Sequence, residues 1–234
     1  MNESALIVGA GSGLSASLAQ LCASRGMKVV LAARNIEKLK NLKKEIGADT
    51  IKCDATNIKS VKNLFNKTDK IIGAPNLVIY NPSKSLGGSI IDLDPKKAHE
   101  AINISCYGGF LVAQQAAIRM LKKKRGSIFF TGATASIKGF PKSSVFAMGK
   151  FGLRGLAQSL ARELHPQNIH IGHFIIDGGI GQENYGSYKT IHPDEIAKVY
   201  LQFHDQDKSA WSWETELRTS VYLFLHKSAR RISL

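Results

Sequence analysis

Two stretches of this chain hold residues whose types and spacing could do chemistry. Gly9, Gly11 and Gly13 lie between an apolar run, Ser4 to Val8, and an amphipathic pattern carried by Leu14, Leu18 and Leu21. Glycines between a strand and a helix permit a tight turn and let backbone N–H groups and the helix dipole approach a pyrophosphate. The second stretch, Gly126 to Pro166, reads as a short buried strand, Ser127 to Thr131, then a Gly/Ser/Thr/Pro-rich loop and a helix from about Ser143 to His165. A single cation, Lys150, sits one turn after Phe146 on the same helical face. Strand, loop and helix aim these side chains at whatever binds beyond the strand's carboxyl end.

The end of the second strand bears on which nucleotide the glycine loop would take. A site for NAD normally carries an acid there, bonding the adenine ribose; this chain reads Ala32-Ala33-Arg34. A guanidinium at that point suits a 2′-phosphate, so NADP is expected in preference to NAD, the alternative being a solvated Arg34 at a helix start. Asp54, just after the third strand, sits where an adenine edge could be met or where a turn needs a cap. His170 and His173 lie three apart on a strand and so face opposite sides of a sheet, and no metal site is expected. Trp211 and Trp213 are expected to share one face of the last strand as core or interface residues.

The elements that must position these groups alternate. Strands are expected at Ser4 to Val8, Met27 to Ala33, Thr50 to Cys53, Asn76 to Tyr80, Ser127 to Thr131, Ile169 to Ile176 and Ala210 to Leu217. Between them fall a helix ending near Gly26, one capped by Asn35, one marked by Val61, Leu64 and Phe65, two at about Pro95 to Ile104 and Gly109 to Lys124, the long helix after Ser143, and one at Pro193 to Phe203. Strands separated by helices of ten or more residues imply an α/β fold with a doubly wound parallel sheet of about seven strands, three layers deep. The chain is expected to form a single domain over 1–234, with a Gly-rich lid at about 180–192 and a C-terminal extension at about 218–234.

With 234 residues, 44% of them hydrophobic, the chain can bury a sizeable core. It shows no signal-peptide pattern and no apolar run of about 18 residues, which argues for a cytoplasmic protein without a membrane span. Cys22, Cys53 and Cys106 are scattered without C-x-x-C spacing, which suits a reducing compartment. The net charge of +14 comes largely from lysines spread along helices, such as Lys38, Lys40, Lys43 and Lys44. That distribution reads as solvated helix faces and an anionic cofactor or substrate, with nucleic acid or an acidic surface as the competing partner.

Over nearly its whole length the sequence resembles the short-chain dehydrogenase/reductase family. The resemblance rests on the glycine loop at Gly9 to Gly13, Cys53-Asp54, Asn81 after the fourth strand, the strand–loop–helix ending in Lys150, and Gly178-Gly179 after the sixth strand. It implies a Rossmann-like sheet, hydride transfer between a nicotinamide and a small carbonyl or alcohol substrate, and a homodimer or homotetramer paired through the two long helices. It also implies a cofactor set of Gly9, Gly11, Ser12, Gly13, Leu14, Arg34, Asp54, Ala55, Asn81, Lys150, Gly178, Gly179 and Ile180.

The resembled catalytic set is Asn, Ser, Tyr and Lys, and by position only Lys150 is retained. Phe146 stands in the tyrosine position, Ala133 in the serine position and Ser105 in the asparagine position, with Asn103 two residues away. Ser15 replaces the loop's third glycine, which is expected to crowd the helix entry, and Asp177 replaces a proline. Phenylalanine cannot supply the proton that a developing alkoxide needs. Tyr185-Gly-Ser-Tyr-Lys189 repeats the tyrosine–lysine spacing in a loop, and Thr134, Ser136, Ser143, Ser144 and Tyr107 are other nearby hydroxyls. Three functions compete: an oxidoreductase whose proton comes from another source, an NADP-binding sensor or assembly partner without turnover, and a basic binder of nucleic acid or an acidic surface.

Overall fold

The computed structural model describes residues 3–181 and 190–219. Strands β1 (Ser4–Val8), β2 (Lys28–Ala33), β3 (Asp49–Lys52), β4 (Leu77–Tyr80), β5 (Gly126–Thr131), β6 (Ile169–Asp177) and β9 (Glu214–Arg218) form one sheet of seven strands. Their order is β3-β2-β1-β4-β5-β6-β9 and every pairing is parallel. Two further strands, β7 (Gly179–Ile180) and β8 (Thr190–Ile191), pair with each other apart from the main sheet. The apolar runs Ser4–Val8 and Leu77–Tyr80 are buried at every position, as expected for central strands covered on both faces.

Helices cover both faces. On one side α3 (Ile58–Ile72), α5 (Gly108–Lys123) and α6 (Ser144–Leu164) enclose Val8, Ala32, Tyr80, Phe130 and Leu153. On the other, α1 (Leu14–Ser24), α2 (Lys40–Ile46) and α7 (Pro193–His204) enclose Ile7, Leu31, Phe129, Phe174 and Tyr200. The remaining helix, α4 (Pro95–Ile102), is started by Asp94, whose carboxylate accepts from the N–H groups of Lys96 and Lys97, with Pro95 in the first turn. Asn57 caps α3 by accepting from Ser60 N–H. No described helix is long and apolar enough to cross a membrane.

The structure departs from the sequence reading at three places. The second strand begins at Lys28, and Asn35 accepts from Glu37 N–H to start a 3₁₀ turn, Glu37–Leu39, from which α2 continues. The two helices expected around residues 95–124 run together through a π-helical turn, Asn103–Tyr107. Gly108 is not a break there: it lets α5 approach Tyr80 and the Ala55 carbonyl, which a Cβ would strike, while the Tyr80 hydroxyl donates to Ile104 O at 2.5 Å.

The third departure corrects the placement of the tryptophans. β9 begins at Glu214, after a turn in which Trp211 Nε1 donates to Gln206 O. Without strand alternation the two indoles part: Trp211 stacks on His170 at 4.6 Å, whereas Trp213 packs on the opposite core beneath Arg154.

His170 and His173 do face opposite sides of β6. His170 Nε2–H donates to Ser212 O at 2.8 Å, and His173 Nδ1–H donates to Glu214 Oε2 at 2.9 Å. The other nitrogen of each ring is buried with no hydrogen-bond partner among the described residues. Burial disfavours a second proton on each ring and holds both near pKa 4 against an ordinary 6.5. The unfolded chain therefore takes up these protons first as pH falls through 6.5, and stability drops until pH reaches about 4, by roughly 3 kcal/mol per histidine. Urea unfolding at about pH 7, 5.5 and 4.5 should show that decline, and His170→Phe should remove about half of it, leaving the share of His173.

Candidate functional site

The site forms where the carboxyl ends of β1, β2, β4, β5 and β6 meet the loops that follow them. Gly9 closes the first turn with φ +82°, and a Cβ there would lie 2.7 Å from the Pro82 ring, so no other residue fits. Gly9 N and Ala10 N both donate to Ala32 O, at 2.9 and 3.0 Å, which pins the loop against β2. Among the described residues, a Cβ built on Gly11 or Gly13 meets nothing within 4 Å, and no side chain caps α1. Open space in front of an uncapped helix N-terminus, with Ser12 exposed beside it, fits a diphosphate. The Leu14 side chain is buried in the core, leaving its backbone N–H for such a contact.

Ser15 does not crowd the helix entry. Its hydroxyl is buried, donates to Gly9 O at 3.1 Å and accepts from Asn81 Nδ2 at 2.6 Å. Asn81 N also donates to Val8 O, so one asparagine and one serine tie the end of β4 to the glycine loop. The substitution exchanges a glycine's close approach for two hydrogen bonds across the switch point between β1 and β4.

A cleft of about 430 Å³ opens beside this loop, lined among others by Gly9, Arg34, Lys38, Asp54, Ala55 and Asn81. Arg34 and Lys38 bring two cations to its lining, and no described carboxylate forms an ion pair with either. Lys38 reads in the sequence only as one of several helix lysines; it lies in the 3₁₀ turn Glu37–Leu39 and lines the same cleft as Arg34. Asp54 caps a turn, its Oδ1 accepting from Thr56 N at 2.9 Å and Thr56 Oγ1 at 2.8 Å, and it also lines the cleft. Asn103 faces an adjoining hollow with Arg34, Lys96 and His99, away from Lys150.

Lys150 stands beyond the cleft, nearly covered at 2% exposure. Its ammonium donates to Thr131 O at 2.8 Å and lies 5.8 Å from the centre of the half-buried Phe146 ring. No described carboxylate pairs with it, and burial pushes the amine down to about 8. Ser105 is buried in the π-helical turn, where its hydroxyl accepts from Lys84 N at 3.2 Å and its Cβ faces Gly149. It fastens the loop after β4 to the helices. Ala133 N donates to Ser136 Oγ, which commits that hydroxyl as well.

At the adjoining end of β6, Thr134 Oγ1 donates to Asp177 Oδ1. Gly178, Gly179 and Ile180 follow on the exposed edge, where β7 pairs with β8. Tyr185 to Lys189 lies outside the described residues.

Residues 3–180 match the family model for short chain dehydrogenases. The chain belongs to the short-chain dehydrogenase/reductase family. A short-chain dehydrogenase from Rhodopseudomonas palustris is 35% identical, with 94% of this chain and 99% of that one covered and a TM-score of 0.84. A metagenomic short-chain oxidoreductase solved in complex with NADP superposes with a TM-score of 0.82 at 24% identity, over 94% of this chain and 99% of its own. An uncharacterized oxidoreductase of Staphylococcus aureus strain USA300 is 29% identical, covering 87% of this chain and 91% of its own length.

In this short-chain dehydrogenase/reductase, the Lys150 ammonium is buried against the Thr131 carbonyl. A buried ammonium with one carbonyl partner destabilises the ligand-free protein. Lys150→Met keeps the volume and removes the charge, and should raise the unfolding free energy of the ligand-free protein by about 1–3 kcal/mol. Denaturant unfolding of the two proteins checks this; an unchanged or lower stability would show the ammonium to be well compensated.

Proposed function

We propose that the protein is an NADP-dependent oxidoreductase acting on a small alcohol or carbonyl substrate. The observation that carries this reading is the cleft at the switch point, lined by two cations, Arg34 and Lys38, with open space over Gly11 and Gly13 of the adjoining loop. NAD ends in a neutral ribose there, whereas NADP carries a phosphate that a guanidinium and an ammonium can grip. Asn81 and Ser15 hold the loop that would face the diphosphate, and Asp54 and Ala55 would flank the adenine. Lys150 would hold ribose hydroxyls, and Gly178, Gly179 and Ile180 would bound the nicotinamide. The bound nicotinamide supplies or accepts a hydride; positioning the substrate and moving its proton fall to the protein.

A second reading, NADP binding without turnover, is favoured by the Phe146 ring beside Lys150 and the absence of a side-chain hydroxyl at Ala133. Nicotinamide absorbance followed over a panel of alcohols and carbonyls separates the two. We also infer a homo-oligomer built on α5 and α6. Tyr107, Phe110, Ile118, Met148 and Phe151 are large apolar side chains left exposed along these helices and the turn before them. Light scattering at micromolar concentration should give at least twice the monomer mass.

Calorimetry should show NADP binding more tightly than NAD. Arg34→Ala should weaken NADP by about 1.5–3 kcal/mol and leave NAD nearly unchanged, with a smaller loss for Lys38→Ala. Equal affinities of the unmodified protein for the two nucleotides would overturn the assignment.

A further inference from the structure

We propose that Thr134 is the hydroxyl through which the substrate exchanges its proton, with Asp177 behind it as the proton's acceptor. The assignment rests on the oxidoreductase reading above. Thr134 opens the short turn at the carboxyl end of β5, next to Ala133, and Asp177 is the last residue of β6. These are the strand ends beyond which ligands of doubly wound sheets bind. The Thr134 Oγ1–Asp177 Oδ1 separation is 2.5 Å, at the short end of hydroxyl–carboxylate bonds, and both residues are half-buried. Asp177 Oδ2 lies 3.7 Å from Arg218 of β9, whose guanidinium donates to Glu216.

The other hydroxyls of the neighbourhood do not offer the same pairing. Ser136 accepts from Ala133 N, Ser105 is bound to the Lys84 backbone, and Thr131 and Tyr200 are buried against each other at 2.8 Å. Among the described hydroxyls at this edge, Thr134 is the one that is partly open and backed by a carboxylate.

A carboxylate backing a hydroxyl removes a proton from an alcohol. The substrate O–H proton passes to Thr134 Oγ1 while the Thr134 proton moves to Asp177 Oδ1. The electron pair left on oxygen forms the carbonyl as the carbinol carbon loses hydride, with its pair of electrons, to the oxidised nicotinamide. One alcohol is oxidised, one nicotinamide is reduced, and one proton rests on Asp177, from where it leaves to solvent. Reduction of a carbonyl is the same sequence reversed.

The test compares unmodified protein, Thr134→Val and Thr134→Ser in NADP-dependent alcohol oxidation, with NADPH affinity by calorimetry and unfolding midpoints on the same samples. Thr134→Val should lose about 10²-fold or more in kcat, with KM, NADPH affinity and unfolding midpoint near those of the unmodified protein. Thr134→Ser should stay within about tenfold, because it keeps the hydroxyl. Turnover that survives in folded Thr134→Val overturns the assignment and leaves the oxidoreductase reading standing. Absence of turnover in the unmodified protein, despite NADPH binding, overturns both. Should Thr134→Val fail to fold, Asp177→Asn takes its place in the same assays, and an unmodified kcat in that folded variant overturns the proposal.

Discussion

A sheet whose strands are all parallel and whose centre is buried on both faces has one consequence that governs the rest of this molecule. Every βα connection leaves from the same edge, so the polar residues that the apolar strands cannot carry collect there. The glycine loop after β1, Arg34 after β2, Asp54 after β3, Asn81 after β4, Thr134 after β5 and Asp177 at the end of β6 are separated by long stretches of sequence. They meet because the strands beneath them run in one direction.

Within that edge the two halves of the site have different physics. The cleft half is open, is lined by the cations Arg34 and Lys38 and adjoins the uncapped start of α1, a setting that suits an anionic ligand. The Lys150 half is dry: the ammonium touches a carbonyl and an aromatic ring, and its protonation is weakened by burial. The bond from Lys150 to Thr131 O also couples α6 to β5, so the long helix is positioned by the strand whose end carries Ala133 and Thr134.

The far edge of the sheet is fastened by a charged network. Glu214 at the start of β9 accepts a two-pronged bond from Arg154 of α6 and a third bond from His173 of β6. This joins the last strand to the helix that bears Lys150, and Arg218 at the end of the same strand reaches Asp177. The final strand thus contributes to the site by bracing groups on its neighbours.

The sequence by itself determined the layered α/β architecture, because apolar runs alternating with amphipathic patterns are local signals that survive without knowledge of the partner strand. It also determined the glycine loop, the acid-free end of β2 with Arg34, and the retention of Lys150 where hydroxyl-bearing residues are absent at 133 and 146. What it could not show are contacts made across the sheet. Ser15 reads as a steric defect until Asn81, from another strand, is seen to donate to it. Lys38 reads as one of many solvated lysines until the cleft that it lines with Arg34 is seen. Trp211 and Trp213 read as one strand face until the turn before β9 sends them to opposite cores. Thr134 reads in the chain as one of several nearby hydroxyls and Asp177 as a replaced proline, 43 residues on; only the register of β5 against β6 brings the hydroxyl to the carboxylate.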